Sequence, residues 1–148
     1  MIAVIQRVDK CSVDINEDQY SNIDKGVLVL VGVGSGDTDA DICYIGDKVL
    51  HLRVFPDSNN KMNKSLRDIN GEIMLVSQFT LYADCKKGNR PSFIKAEKTK
   101  KAQEIYLRLL DYLQSKYDKV SSGSFQSFMK INLINNGPVT IIINSNDK

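Results

Sequence analysis

Four consecutive residues, Ser77-Gln78-Phe79-Thr80, place three polar side chains at the end of an otherwise apolar stretch. One interpretation is that one face of a strand simply meets solvent there. The other is a pocket at the strand end, where backbone N–H groups, Gln78 and Thr80 donate hydrogen bonds and Phe79 offers a ring for stacking on a base. The residues alone favour neither interpretation.

A second short motif, Asn136-Gly137-Pro138, separates two apolar runs near the end of the chain. Glycine and proline both suit turns, so the motif predicts a hairpin. Pro138 cannot donate a ladder hydrogen bond and is expected at the start of a strand. Because only about 5–6% of X–Pro bonds in folded proteins are cis, these residues alone predict a trans bond.

Two other candidate sites carry weaker signals. Residues 32–36 are rich in glycine and lie between a predicted strand and a predicted helix, where a phosphate-binding loop would lie. They lack the spacing of known phosphate motifs, so a tight turn is favoured. His51 is the only histidine, and nothing in the sequence pairs it with a nucleophile. Because the acids show no ligand pattern either, we predict neither a metal site nor a cofactor.

Charge is unevenly distributed along a chain whose formal net charge is only +2. Residues 14–41 contain seven acids and one lysine, whereas residues 86–101 contain seven bases and one acid. The basic segment, residues 86–101, could attract a polyanion. The alternative is a solvated helix start with its preceding loop, and the sequence alone gives the two about equal weight.

Composition limits the class of protein. The 148 residues, 42% apolar and 26% charged, predict one globular domain over residues 1–148 that needs no disulfide or metal to fold. No apolar run approaches the ~18–20 residues of a membrane span, and the N-terminal residues lack the features of a signal peptide. Three scattered cysteines suggest free thiols in a reducing compartment, so we expect a cytoplasmic protein without a membrane partner.

Hydrophobic periodicity predicts the elements that must position these motifs. Two amphipathic helices are predicted, over about 39–52 and over 95–117. Loops are predicted at 16–19, 56–71 and 84–93, and the final two strands are expected to form a hairpin. Strands are predicted over residues 2–8, 11–15, 26–33, 72–82, 129–135 and 139–143. This mixed order favours an α+β fold over a doubly wound parallel sheet.

The chain resembles the D-aminoacyl-tRNA deacylases, which remove D-amino acids from mischarged tRNA. The resemblance extends over essentially the whole chain, and the pairing of SQFTL with NGPVT is highly specific. It is carried by MIAVIQRV at 1–8, LVLVGVGSGDT at 28–38, SQFTLYAD at 77–84, GNRPSF at 88–93 and NNGPVT at 135–140. It implies a homodimer with a β-barrel-like α+β fold, two main helices and an active site at the subunit interface.

The resemblance also implies a role for each motif. Residues 77–80 would line the pocket for the terminal adenosine and its aminoacyl group. Gly137 and Pro138 would enter from the partner subunit as a cis dipeptide held by Arg7, contrary to the trans expectation above. The intact residues 77–80 favour the D-specific branch over a sister branch that removes L-alanine. Acceptor-stem phosphates would then contact four basic side chains of the basic segment, Lys86, Lys87, Arg90 and Lys95.

The implied reaction is hydrolysis of the ester that links a D-amino acid to the terminal ribose. Backbone N–H groups near Phe79 and Thr80 are candidate oxyanion donors. A Thr80 nucleophile would need a nearby base, whereas the vicinal 2′-hydroxyl of the RNA could supply the missing polar group. Exclusion of L side chains by Gly137 and Pro138 would admit glycine, so Gly-tRNA is an expected secondary substrate.

One segment departs from the family pattern, and two other functions stay open. Where the family has Gly-x-Phe-Gly-Ala-acid-Met, residues 123–129 are GSFQSFM, so the acid is replaced by Phe128. The pocket rim is therefore expected to differ. The chain could instead be a non-catalytic RNA-binding module, which the basic segment alone would serve, or a deacylase of the sister branch.

Overall fold

The computed structural model describes residues 1–147, which form a mixed α+β fold of two α-helices and eight strands. The helices are α1 (Asp39–His51) and α2 (Thr99–Lys116), with short 3-10 helices at Phe79–Tyr82 and Ser145–Asp147. The strands are β1 (Ile2–Ile15), β2 (Asp18–Ile23), β3 (Gly26–Gly32), β4 (Phe55–Pro56), β5 (Met62–Lys64), β6 (Glu72–Ser77), β7 (Val120–Ser122) and β8 (Lys130–Asn144). No helix in residues 1–147 is long and apolar enough to cross a membrane.

Strand β1 organises the main sheet because it pairs along both edges. Its first half pairs antiparallel with β3 and its second half with β2, while β8 pairs with the opposite edge along nearly the whole length. β3 continues the sheet through parallel pairing with β6, which pairs in parallel with β7. The sheet also curls, since Ser21 on β2 donates a hydrogen bond to the carbonyl of Ser122 on β7 at 2.9 Å.

Alternating side chains give the sheet two apolar faces. One face of β3 and β6 packs against both helices in the larger core, to which Val29 and Leu75 belong. The other face lines the inside of the curl and includes Leu28 and Met74. Each fully buried aliphatic side chain stabilises the fold by about 1.5–3 kcal/mol. The two cores therefore fix both faces of the strands that lead to the candidate site.

Several sequence expectations about strands are wrong in their bounds. The runs at 2–8 and 11–15 belong to the single strand β1, and the predicted loop at 16–19 contracts to a turn at Asn16 and Glu17, both with positive φ. Strand β6 ends at Ser77, not residue 82, because the chain then enters a 3-10 helix. Strands β4 and β5 lie partly within the predicted loop at 56–71 and pair as a small hairpin. Helix α1 is confirmed, with Thr38 at its N-cap, whereas α2 begins later than predicted.

The predicted C-terminal hairpin is also wrong, for a topological reason. Both of its predicted strands belong to β8 and pair with β1, not with one another. Between the pairs Gln6↔Thr140 and Val8↔Asn135, β8 contains more residues than the facing part of β1. The extra residues, Gly137 and Pro138 among them, form a bulge. The Gly137–Pro138 bond is cis, as the family resemblance implied.

A buried ion pair ties the start of β1 to the loop that precedes α1. The Met1 ammonium group, fully buried, donates hydrogen bonds of 2.7 Å to a carboxylate oxygen of Asp37 and to the hydroxyl of Ser145. The second carboxylate oxygen of Asp37 accepts the N–H of Gly34 at 2.7 Å. Asp37 therefore satisfies two buried donors at once.

We expect Asp37→Asn to lower the free energy of unfolding by about 3–5 kcal/mol, because it leaves a buried ammonium group without a charged partner. The matched control is Asp39→Asn, which removes an exposed ion pair with Arg108 and should cost less than about 1 kcal/mol. Urea unfolding of both variants measures the difference. Coincident unfolding midpoints for the two variants would contradict this assignment.

Candidate active site

The polar residues at the end of β6 are held in place by its parallel neighbour. Ser77 pairs with Val31 of β3, and the backbone N–H of Gln78 donates to the carbonyl of Val31 at 2.7 Å. The chain then turns into the 3-10 helix at Phe79. This turn brings Ser77, Gln78 and Phe79 to one cleft, whereas Thr80 is exposed and does not line it.

The cleft has a volume of about 590 Å³. Its walls come from the ends of β3 and β6, the segment that leads into α2, the start of α2 and the segment between β7 and β8. Its lining residues are Val31, Val33, Val76, Ser77, Gln78, Phe79, Phe93, Ala96, Glu97, Lys98, Thr99, Ala102, Phe125, Gln126, Ser127, Phe128, Met129 and Ile131. A mostly apolar cleft with few polar groups is typical of a small-molecule site.

Backbone hydrogen bonds hold the wall in front of α2. The carbonyl of Lys95 accepts the N–H of Ser35 at 3.0 Å, and the N–H of Glu97 donates to the carbonyl of Val33 at 3.0 Å. Phe93 thereby lies beside Phe79 in an edge-to-face contact, with ring centroids 5.1 Å apart. Because the N–H of Ser35 is used in one of these bonds, it is not free to bind a phosphate. This supports the interpretation of residues 32–36 as a tight turn rather than as a phosphate-binding loop.

The floor of the cleft rests on an aromatic pair, in which Tyr106 is buried and Phe125 is half-buried. Phe125 packs against Tyr106 of α2, with ring centroids 5.5 Å apart. The Tyr106 hydroxyl donates to the carbonyl of Leu75 at 3.0 Å, and burial raises the pKa of this phenol well above its usual value. Tyr106 is therefore a neutral hydrogen-bond donor that anchors the floor to β6.

Within residues 1–147, the side chain that bonds the Thr80 hydroxyl is an amide and not a base. The hydroxyl accepts a hydrogen bond of 2.5 Å from the Gln78 amide, which cannot take a proton. His51 lies at the end of α1, where a ring nitrogen is 2.8 Å from the carbonyl of Asp47, and it does not line the cleft. The Glu97 carboxylate does line the cleft, but hydrogen bonds from the Lys98 N–H and from Lys101 lower its pKa. Such a carboxylate is a weak base.

Gly137 and Pro138 are exposed on the bulge of β8 and do not line the cleft of their own chain. Arg7 holds the preceding residue, since its Nε donates to the carbonyl of Asn136 at 3.0 Å and its Nη1 to the carbonyl of Val54 at 2.6 Å. Gly137 has a φ of +129°, and a Cβ there would lie 2.9 Å from Nη2 of Arg7. Only glycine fits this position without displacing its neighbours.

The four basic side chains predicted to contact phosphates are all exposed but do not line the cleft. Lys86, Lys87 and Arg90 lie in a loop closed by two backbone hydrogen bonds between Asp84 and Ser92, of 2.8 and 2.9 Å. Lys95 lies 4.0 Å from the Asp84 carboxylate. The loop therefore presents three cations directly beyond the end of the 3-10 helix.

Sequence reasoning missed several lining residues, among them Glu97, Lys98 and Thr99 at the start of α2. Their position follows from the bonds between residues 95–97 and the end of β3, which no sequence pattern revealed. Among residues 1–147 no group of three or more histidine, cysteine, aspartate or glutamate side chains could hold a metal ion.

Comparison with known proteins identifies the family. Residues 4–144 match the family model described as D-Tyr-tRNA(Tyr) deacylase. The chain belongs to this family. It is 50% identical to a D-aminoacyl-tRNA deacylase of Thermodesulfovibrio yellowstonii over 98% of this chain and 99% of that one. It is also 50% identical to one of Halothermothrix orenii, over 99% of this chain and 98% of that one.

Solved structures of this family's fold agree with the observed topology. One, named c-Myc DNA Unwinding Element Binding Protein, superposes with a TM-score of 0.93 at 39% identity, over 97% of this chain and 98% of that one. A second, described as a probable eukaryotic D-amino acid tRNA deacylase, has a TM-score of 0.86 at 18% identity, over 96% of this chain and 97% of that one, and supports the fold alone.

Proposed function

We propose that the chain hydrolyses the ester bond of D-aminoacyl-tRNA and releases a free D-amino acid and tRNA. The single observation that carries the proposal is the cleft at the end of β6, where Ser77, Gln78 and Phe79 of the deacylase motif lie together. The D-aminoacyl-tRNA deacylases at 50% identity over nearly the full length support it. Translation quality control in the cytoplasm is the corresponding cellular role and stays a prediction.

The chiral gate is proposed to come from a second copy of the chain. Gly137 and Pro138 are exposed and lie outside their own cleft, so they can act on a cleft only if it belongs to another subunit. Within residues 1–147, β8 pairs with β1 alone, which leaves its other edge open. Its exposed Leu133, Ile134 and Ile142 suit burial in a homodimer interface.

The proposed mechanism needs few protein groups. Water adds to the ester carbonyl carbon and gives up a proton, the carbon–oxygen bond to the ribose breaks, and the ribose oxygen takes up that proton. The backbone N–H groups of Phe79 and Thr80 are the first two of the 3-10 helix, and the first N–H groups of a helix have no partner within it. The N–H of Phe79, the one of the two residues that lines the cleft, is the proposed donor to the oxyanion. The vicinal 2′-hydroxyl of the substrate replaces the missing base.

Substrate selection tests this proposal most directly. We expect the purified protein to deacylate D-tyrosyl-tRNA rapidly, to leave L-tyrosyl-tRNA intact and to act on glycyl-tRNA more slowly, because backbone atoms of Gly137 and Pro138 would exclude L side chains but not hydrogen. Gly137→Ala should reduce the ratio of D to L hydrolysis at least tenfold, equivalent to about 1.4 kcal/mol.

The matched control is Gly36→Ala, which also has positive φ but no neighbouring atom within 4 Å of the added Cβ. It should keep the wild-type ratio. Activity on L-alanyl-tRNA in preference to D-tyrosyl-tRNA would assign the chain to the sister branch. If none of the aminoacyl-tRNAs is deacylated, the chain would be a non-catalytic RNA-binding module. Resistant glycyl-tRNA would refute exclusion as the basis of selectivity.

Thr80→Val tests whether the reaction uses a protein nucleophile. Because the Thr80 hydroxyl is bonded to an amide and not to a base within residues 1–147, we expect kcat to fall less than about tenfold. A substrate with a 2′-deoxy terminal adenosine should instead react on the order of 100-fold more slowly with the wild type, the lower range for a lost general acid–base group. An inactive Thr80→Val protein that still folds and binds tRNA would overturn the RNA-assisted mechanism.

The loop that contains Lys86, Lys87 and Arg90 is proposed to contact acceptor-stem phosphates. Reversing Lys86, Lys87 and Arg90 to Glu should raise KM at least tenfold at low salt. The slope of the logarithm of the tRNA association constant against the logarithm of the salt concentration should become less negative by about 2 to 3, since each lost phosphate contact contributes about 0.9. The control reverses three exposed lysines elsewhere, Lys25, Lys61 and Lys64. An unchanged KM at low salt for the first set would exclude the contact.

A further inference from the structure

Phe128 is an apolar ring at the mouth of the cleft with almost no protein contact. It lines the cleft, yet 86% of the residue is exposed. An aromatic side chain can bury about 150–250 Å², so its exposure leaves a large area open to a ligand.

The turn that carries Phe128 is fixed within the fold. It begins at Gly123, whose N–H donates to the carbonyl of Leu75 on β6 at 2.9 Å. Two bonds close it, since the N–H and the hydroxyl of Ser127 donate to the carbonyl and the hydroxyl of Ser124, at 3.3 and 2.9 Å. Phe125 points inward onto Tyr106, and Phe128 projects from the other end of the turn.

The surroundings of Phe128 favour a nucleic-acid ligand. Phe79, 58% exposed, lines the same cleft, and so does the exposed Lys98. Lys95 and Lys100 add exposed cations on the same segment. Aromatic faces combined with cations are the usual means of binding unpaired nucleotides, because bases stack on the rings while phosphates contact the charges.

We infer that Phe128 stacks on the unpaired base that precedes the terminal nucleotide of the RNA, so that this site holds two nucleotides of the 3′ end. The inference rests on the proposed function and adds a binding residue to it. The cleft takes the terminal nucleoside, and Phe128, at its mouth, is placed for the next base. Stacking on one ring is independent of base identity, so this contact contributes affinity without sequence preference.

The first test measures binding without catalysis. The probe is a labelled RNA hairpin with an unpaired 3′ end ending in CCA, compared with the same hairpin lacking the base of the next-to-last nucleotide. We expect Phe128→Ala to raise the Kd for the intact hairpin about fivefold to tenfold, the lower range for one stacked base. The Kd for the abasic hairpin should not change. Phe128→Tyr should restore wild-type binding.

The second test uses catalysis to locate the contact. With D-tyrosyl-tRNA, Phe128→Ala should raise KM by the same factor and leave kcat unchanged, whereas KM for D-tyrosyl-adenosine, which lacks the neighbouring nucleotide, should not move. The control is Ile94→Ala, which truncates a side chain that is 91% exposed but outside the cleft lining. It should leave the Kd and both KM values at wild-type levels.

Three results would overturn the inference. Equal weakening for intact and abasic hairpins would show that Phe128 does not contact the base. An unchanged Kd for the intact hairpin would show that the ring binds no RNA. A change in sedimentation behaviour of Phe128→Ala would assign the ring to a contact between subunits. A wild-type protein that fails to hydrolyse D-tyrosyl-tRNA would refute the proposed function, while the hairpin comparison would still decide the role of Phe128.

Discussion

The parallel pairing of β3 with β6 is the constraint on which the candidate site depends. It places the end of each strand at the same edge of the sheet, in register up to Val31 and Ser77. Beyond this edge, the continuation of β3 bonds to residues 95–97, which lead into α2, and the continuation of β6 becomes the 3-10 helix. Residues of both continuations, Val33 after β3 and Phe79 after β6, line the cleft. Burial of both faces of the two strands keeps this geometry rigid.

The pairing of β1 with β8 has the opposite effect, since it exposes a motif. β8 follows β1 on both sides of the bulge, so the residues in excess must project away from the sheet. Arg7 then fixes the projection through the carbonyl of Asn136, and at the same time bonds Val54 near the hairpin of β4 and β5. The bulge, which lacks regular pairing with β1, is thereby held by the Arg7 side chain. This is how an exposed dipeptide can have a defined position.

The elements set by strong periodicity could be predicted from the sequence, whereas long-range pairing could not. Helix α1 and the buried strand β3 follow from their apolar spacing. The hairpin predicted at Gly137-Pro138 failed because a turn and a bulge use the same residues, and only the partner strand decides between them. In the site, residues 77–80 were recognisable as a motif, but Glu97 and Phe125 enter the cleft through contacts more than ten residues away in sequence.

The electrostatics of the cleft are the reason why the proposed mechanism takes its base from the substrate. A side chain that accepts a proton at neutral pH needs a pKa near 7. Glu97, the one carboxylate among residues 1–147 that lines the cleft, has its pKa lowered by hydrogen bonds, and the phenol of Tyr106 beneath the floor has its pKa raised by burial. Both shifts move these groups away from the range in which they could relay a proton. An ester that is already activated needs orientation and an oxyanion partner more than a strong base. In the proposed mechanism, a cleft with apolar walls and backbone donors would meet that need, and the vicinal hydroxyl of the substrate would supply the rest.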